Sequence, residues 1–481
     1  MYLGLDLGTS GLKGLLIDDT QTVIGLASAP LDGTRPHDGW SEQDPLSWIT
    51  ACESVLDQLA AKFPTELAAL RGIGLSGHMH GATILGADDA PLRPCILWND
   101  TRSHAEAAEL DAMPEFRKIS GNIVFPGFTA PKLLWVQRNE PEVFAKVHKV
   151  LLPKDYLRLW LSGEYISDMS DSAGTSWLDV AKRDWSDVLL HATGLDRSHM
   201  PNLVEGSAVG GQLRAEHAQR WGIPSGVPIA GGAGDNAASA IGMGTIATGQ
   251  AFVSLGTSGV LFAANDSYLP KPESAVHTFC HALPDTWHQM GVILSATDSL
   301  NWYSRIVGKS PAELTSTLGD LAAPGNALFL PYLGGERTPH NDAEIRGAFL
   351  NLSHTDDQAS LTRAVLEGVG FALRDNMEAL RSAGTEISNL LAVGGGSLSN
   401  YWLQVLATTL DTAIDVPVDG DFGAALGAAR LGLMAGSGAS PDSVCTVPEI
   451  DHTVGPNKNL TAAFSDAYHS YTSAYPALKG A

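Results

Sequence analysis

The chain opens on a short apolar run, Tyr2 to Leu5, that stops at a carboxylate, Asp6. It then passes through Leu7-Gly8-Thr9-Ser10-Gly11 and resumes as Leu12–Ile17. Two apolar runs joined by small turn-forming residues predict a β-hairpin. The pentapeptide Leu-Gly-Thr-Ser-Gly returns at Leu255–Gly259, 248 residues further on, again between apolar runs, Ala251–Ser254 and Val260–Ala263. A repeat at half the chain length, in the same context, predicts two related α/β domains with a boundary near 242–250, that is, domains over 1–243 and 244–481. Elsewhere the pattern alternates between periods. A helix is expected over Leu46–Phe63 and a short strand over Gly72–Ser76. A long helix is expected over Ser360–Ser382, starting at a Ser cap and stopped by Gly384. A buried strand at Leu390–Val393 and helices at Tyr401–Leu410 and Ala424–Met434 complete the reading. Such alternation means an α/β fold, and the lack of a low-complexity linker predicts that the halves pack along a cleft.

Composition narrows the partners. The 481 residues are 44% hydrophobic, enough for large cores. Lys plus Arg total 30 against 53 for Asp plus Glu, a net charge of −23. So acidic a surface repels a phosphate backbone, which excludes nucleic acid and anionic membrane as main partners but not one nucleotide met by local N–H groups. Cys52, Cys95, Cys280 and Cys445 form no C-x-x-C pair, and reduced, mostly buried thiols of a cytoplasmic enzyme are expected. The N-terminus lacks a signal-peptide pattern, and no run of about 20 apolar residues is present.

Two nucleotide motifs are decoys. Gly72-Ile73-Gly74-Leu75-Ser76-Gly77 matches G-x-G-x-x-G, but a helix is expected before it, and 78–85 reads as extended rather than helical. Gly308-Lys309-Ser310 resembles the end of a P-loop, yet Tyr303 stands where its first Gly belongs. His78 and His80, expected on one face of a strand, lack a third ligand at a recognisable spacing and read as a polar pocket wall.

Three places carry candidate chemistry. The Gly8–Ser10 turn can present backbone N–H groups as an anion nest, with an ordinary hairpin turn as the alternative. Asp6, at the end of a buried strand, needs a cation or donors, and a nucleotide-borne Mg²⁺ or its own turn would supply them. The Val227–Ala230 strand runs into Gly231-Gly232-Ala233-Gly234-Asp235-Asn236 and a small-residue helix from Ala237. There Asp235 is either an N-cap or a base taking the proton of an attacking hydroxyl. Val393 to Asn400 is a Gly-rich strand-to-helix turn that admits a flat ring close to the backbone, or is a plain turn.

Together these segments resemble the FGGY carbohydrate kinase family, over essentially the whole chain. The resemblance rests on Asp6–Lys13, Gly39-Trp40-Ser41-Glu42-Gln43-Asp44-Pro45, Gly127–Asn139 and Gly347–Glu367, where Asn351 replaces a usual Gly. Ser76–Thr83, with its Met79-His80 pair, Ile96–Asp100, Leu152–Leu159 and Glu336–His340 narrow it toward ketopentose kinases. The resemblance implies two actin/hexokinase-like (ribonuclease H-like) domains facing across a catalytic cleft, in a cytoplasmic homodimer. It implies phosphoryl transfer from ATP with Mg²⁺ to a ketopentose, D-xylulose ahead of sibling ketopentoses or pentitols. An actin- or chaperone-like nucleotide switch is the remote alternative. By the same resemblance Asp235 is the catalytic base, Asp6 supports catalysis, and both stand at the metal. Met79, His80, Asp235, Asn236, Trp98 and Asp100 line the sugar site. Thr9, Ser10 and Lys13 face the transferred phosphate, and Gly256, Thr257, Gly395, Gly396 and Asn400 surround the nucleotide.

Overall fold

The computed structural model describes residues 1–418 and 423–479. In the first half the principal elements are β1 (Tyr2–Leu7), β2 (Gly11–Ile17), β3 (Val23–Pro30), α1 (Pro45–Lys62), β4 (Gly72–Gly77), α2 (Pro153–Ser162), β5 (Val209–Gln212), β6 (Pro228–Ala230), β7 (Ala233–Gly234) and α3 (Asp235–Met243). In the second half they are β8 (Gly249–Leu255), β9 (Gly259–Asn265), β10 (His277–Cys280), β11 (Trp287–Ile293), α4 (Thr297–Val307), α5 (Pro311–Ser316), α6 (Gln358–Ser382), β12 (Ile387–Val393), α7 (Asn400–Leu410), β13 (Ile414–Pro417), α8 (Gly423–Ser437), β14 (Ile450–Val454) and α9 (Thr461–Leu478).

The two halves repeat one plan. The first sheet runs β5-β6-β4-β1-β2-β3, with β7 added to β4, and the second runs β10-β11-β9-β8-β12-β13-β14. In each, an antiparallel hairpin (β1–β2; β8–β9) pairs in parallel with a later strand (β4; β12). The registers differ by one residue: Leu7 lies opposite Leu12, whereas Leu255 lies opposite Gly259, the counterpart of Gly11.

Local sequence explains the main helices. α1 is capped by Asp44, which accepts from Leu46 N at 3.0 Å, and Pro45 occupies its first turn. Its buried Trp48, Cys52, Val55, Leu56 and Leu59 form one face toward the sheet. α6 starts earlier than expected. The cap is Asp357, which accepts from Ser360 N at 2.9 Å, while its own N–H donates to Ser360 Oγ at 2.7 Å. Ser360 is therefore the third helical residue of a reciprocal capping box rather than the cap. The P-loop decoy resolves into a helix end and a helix start: Gly308 closes α4 in left-handed conformation, and Ser310 caps α5. Asn351 adopts φ +58°, which accounts for the Asn-for-Gly replacement.

The G-x-G-x-x-G stretch is strand β4, and its glycines serve helix packing. α8, a helix of the second half, lies across β4, β1 and α3 with its backbone against theirs. A Cβ on Gly74 would stand 1.8 Å from Ala428 O, one on Gly72 2.0 Å from Gly432 O, and one on Gly427 2.1 Å or less from α3, at 1.7 Å from Ala238 O. The sheet of the first half is thus covered by a helix from the second. Residues 78–82 are not extended as expected; only Thr83–Leu85 forms a strand, and His80 has φ +69°.

Gly74→Ala and Gly427→Ala should each cost about 1–3 kcal/mol or more by overpacking. Gly455→Ala, which meets open space, should stay within about 0.5 kcal/mol. Urea unfolding midpoints of the three variants check this.

Candidate active site

Asp6 is the penultimate residue of β1, opposite Lys13 on β2 and beside Ser76 on β4. Ser76 Oγ donates to its Oδ1 at 2.6 Å. Burial pushes this carboxyl above its ordinary value, against the pull of the Ser76 hydrogen bond and the Lys13 charge. At the matching positions of the second hairpin stand Ser254 and Leu261, so the charged pair belongs to the first copy alone.

Thr9 and Ser10 form the tip of the β1–β2 turn, closed by Gly8 N donating to Gly11 O at 2.9 Å. The turn is braced from outside. Gln43 Nε2 donates to Thr9 O at 3.0 Å, and Trp98 Nε1 donates to Thr9 Oγ1 at 3.1 Å. Gln43 is itself fixed by Trp48 Nε1 at 2.7 Å. The N–H groups of Thr9 and Ser10 reach no acceptor among the described residues, and the same holds for Thr257 and Ser258 in the second turn. Both turns are therefore anion nests with free donors.

Asp100 points inward. Its oxygens accept from Arg102 Nε at 2.9 Å, Arg102 Nη2 at 2.7 Å and Ser41 N at 2.6 Å. Arg102 in turn meets Glu42 at 2.7 Å and lies 3.5 Å over the Trp40 ring. Asp100 thus shapes the loop bearing Trp98 and offers no free carboxylate. Trp98 is half exposed.

Asp235 occupies the first turn of α3 behind the N-cap Gly234, so it is neither a cap nor a loop residue. Asn236 donates to its Oδ1 from N at 2.7 Å and from Nδ2 at 3.0 Å. Burial, helped by the nearby Asp6 charge, raises this carboxyl to about 6 despite those two donors. Met79 closes on the same helix start: a Cβ on Gly234 would stand 2.8 Å from its Cγ. His80 stacks on Phe128 at 4.5 Å and lies 6.3 Å from Phe279 of the second half. Its Nδ1 bonds Gly174 O at 2.7 Å. A carbonyl only accepts, so Nδ1 carries the proton and Nε2 remains an acceptor. Burial lowers its pKa to about 3, which keeps the ring neutral. His78 does not share this wall; it is buried with its ring against Trp48 at 5.8 Å.

In the second half, β12 passes through a 3₁₀ turn, Gly395–Leu398, into α7, whose cap Ser399 accepts from Trp402 N at 3.3 Å. Gly395 and Gly396 line a cavity of about 400 Å³ together with Thr297, Asn301, Leu398 and Trp402. That size suits a nucleoside. Gly256 and Thr257 turn their carbonyls to the start of α4: Thr297 N donates to Gly256 O at 2.9 Å and Ala296 N to Thr257 O at 2.8 Å. Asn400 lies exposed at the first turn of α7, outside the cavity wall. Sequence reasoning missed Ser76, Gln43, Thr297 and Asn301. Ser76 and Gln43 lay inside segments already singled out, but their partners are distant in the chain.

Residues 1–242 match the FGGY family of carbohydrate kinases, N-terminal domain, and residues 251–436 match its C-terminal domain. The chain belongs to this family. It is a carbohydrate kinase, and its two-domain α/β fold is that of its relatives. The xylulose kinase of Escherichia coli is 50% identical over 438 residues, 90% of each chain. That of Lactococcus lactis is 41% identical over 84% of this chain and 82% of its own. Among solved structures, a "xyloylose kinase" from Brucella ovis superposes with a TM-score of 0.98 at 64% identity, covering 99% of both chains. No helix among the described residues is long and apolar enough to cross a membrane.

The raised carboxyl gives a stability signature in the metal-free kinase. A group whose folded pKa exceeds its unfolded value stabilises fully below the unfolded value and loses that contribution as pH rises through the folded one. For Asp235 the window runs from about 4 to about 6. Asp235→Asn should therefore be more stable than wild type at pH 7.5, by about 1–3 kcal/mol, with the gap closing toward pH 4. Urea midpoints at several pH values measure it.

Proposed function

We propose that the chain transfers the γ-phosphoryl group of ATP to the 5-hydroxyl of D-xylulose, giving ADP and D-xylulose 5-phosphate. The observation that carries this reading is that Asp6 and Asp235, two desolvated carboxyls on different elements, lie near enough for the charge of Asp6 to raise Asp235, with Asp6 three residues before a turn of free N–H donors. The names of the curated relatives support the sugar.

Asp235 takes the proton of the sugar hydroxyl as the new O–P bond forms and the bond to ADP breaks. A carboxyl with a pKa near 6 is ionised at neutral pH yet basic enough for this role. Phosphoryl transfer asks mainly for positioning and charge neutralisation. Thr9 and Ser10 N–H groups and Lys13 receive the transferred group, while the Gly256–Thr257 turn meets the remaining phosphates. Met79, Asn236, Trp98 and the neutral His80 hold the sugar, with His80 Nε2 accepting a hydroxyl. Gly395 and Gly396, with Asn400 at the helix start beyond them, border the nucleoside.

Two partly buried carboxyls with raised pKa values and the Ser76 hydroxyl suit a divalent cation, so Asp6 and Asp235 would hold Mg²⁺. Bound there, it would supply positive charge against the phosphates.

ADP release should be measured across D-xylulose, D-ribulose, L-ribulose, xylitol, D-arabinitol and glycerol. The kcat/KM for D-xylulose should exceed each of the others by about tenfold or more. Asp235→Ala should lose about 10²–10⁴-fold in kcat, and wild-type kcat should fall as acid protonates Asp235. Preference for another acceptor would overturn the assignment of the sugar.

A further inference from the structure

The Leu152–Leu159 segment brings three charged side chains, Lys154, Asp155 and Arg158, to which the reading above gives no role. All three are fully buried. Lys154 Nζ stands 2.6 Å from Asp155 Oδ1, 2.7 Å from Asp168 Oδ1 and 3.0 Å from Asp171 Oδ2. Burial opposes the ammonium charge, but the three carboxylates outweigh it and hold it protonated. Burial also drives the Asp171 carboxyl well above its ordinary range, against the pull of Lys154. Taking such groups out of water is seldom repaid in stability by their pairing. The cluster therefore calls for a use beyond holding the core.

Its neighbours supply one. The Arg158 guanidinium donates from its two terminal nitrogens to the carbonyl oxygens of Ala230 and Gly231. At the other end of the same loop, Gly234 N donates to Ser170 Oγ at 3.2 Å. Ser170 Oγ in turn donates to Asp168 Oδ2 at 2.5 Å, the carboxylate whose other oxygen meets Lys154. Asp168 is itself anchored by the N–H groups of Ser170 at 2.8 Å and Asp171 at 3.2 Å. Residues 230–234 are thus tied at one end to Arg158 and at the other, through Ser170 and Asp168, to the Lys154 cluster, and the next residue is Asp235. Three of the five are glycines, which do not hold a backbone path by themselves.

We infer that Arg158, and Ser170 held by Asp168 and through it by Lys154, are positioning residues that set the place of the Asp235 carboxyl relative to the attacking hydroxyl. The inference rests on the reading of Asp235 as the base. Arg158 acts through the carbonyls of Ala230 and Gly231, Ser170 through the Gly234 amide, and neither touches substrate. A planar fork reaching two adjacent carbonyls cannot be replaced by the point charge of a lysine.

The test compares full-length wild type, Asp235→Ala, Ser170→Ala and Arg158→Lys. Steady-state ADP release with D-xylulose gives kcat and KM, calorimetry gives the Kd for ATP, and urea midpoints certify the folded state. Loss of one hydrogen bond to the loop should lower kcat about 3- to 10-fold in Ser170→Ala. A shifted loop in Arg158→Lys should lower it about 100-fold. The Kd for ATP, measured without Mg²⁺ so that Asp235 takes no part, should not change in either, because the nucleoside cavity belongs to the second half. A purely structural role would instead lower kcat and ATP binding together, in proportion to the folded fraction, and would overturn the inference. So would kcat values within about twofold of wild type while Asp235→Ala is inactive. If Arg158→Lys does not fold, Ser170→Ala decides alone. A wild type that does not phosphorylate D-xylulose overturns the functional reading and this inference with it.

Discussion

The backbone-to-backbone seat of α8 fixes the geometry on which the site depends. Glycines at 72 and 74 of β4 and at 427 of α8 remove the side chains that would otherwise hold helix and sheet a full side chain apart. α8 thereby lies at close range to β1, which carries Asp6, and to α3, which carries Asp235. Because the helix belongs in sequence to the second half, the same contact also ties the two repeats into one unit. The small residues of 423–437 are what permit an approach that any larger side chain would block.

With that spacing set, electrostatics divides the labour between the repeats. The two hairpins share a backbone plan and present similar turns of free N–H groups, which suit phosphate oxygens at either side. Only the first carries a carboxylate and a lysine; the second has Ser254 and Leu261 in their places. Desolvating two carboxyls near each other raises both pKa values, a cost borne locally and offset elsewhere by the cores. On the proposed reading the reacting end therefore belongs to the first half and the nucleoside end to the second.

The sequence was most legible where the signal is local. Hairpins, the alternation of strand and helix, the Gly-rich run before Asp235 and the small-residue helix all follow from short-range pattern. Errors arose where a cap lay one turn upstream, as at Asp357, or where an apolar stretch with glycines read as extended, as at 78–82. The G-x-G-x-x-G stretch shows the limit of motif reading. Gly72 and Gly74 answer to α8, more than 350 residues away, and no local pattern could announce that. Gln43 and Ser76 sat inside segments already picked out, yet their work on Thr9 and Asp6 is tertiary. Asp100 illustrates the converse, a carboxylate placed correctly near the site whose lone pairs Arg102 and Ser41 had already taken.

The side chains proposed to face the substrate are, by contrast, uncharged. His80 is held neutral by burial, with its Nδ1 proton fixed on the Gly174 carbonyl, and Met79, Phe128 and Phe279 add no charge. An uncharged polyhydroxy acceptor gains nothing from a charged wall, since each ion would first have to be desolvated. Fixed neutral acceptors and apolar surfaces discriminate by where hydroxyls fall, and a missing hydroxyl leaves a buried acceptor unpaired. His80 itself stays neutral from pH 5 upward, because burial lowers its pKa to about 3. The response of the site to acid then falls on Asp235, whose carboxyl lies near 6. Recognition and proton transfer are in this way assigned to groups that titrate in separate ranges, so that the base can be tuned by burial without altering how the sugar is held.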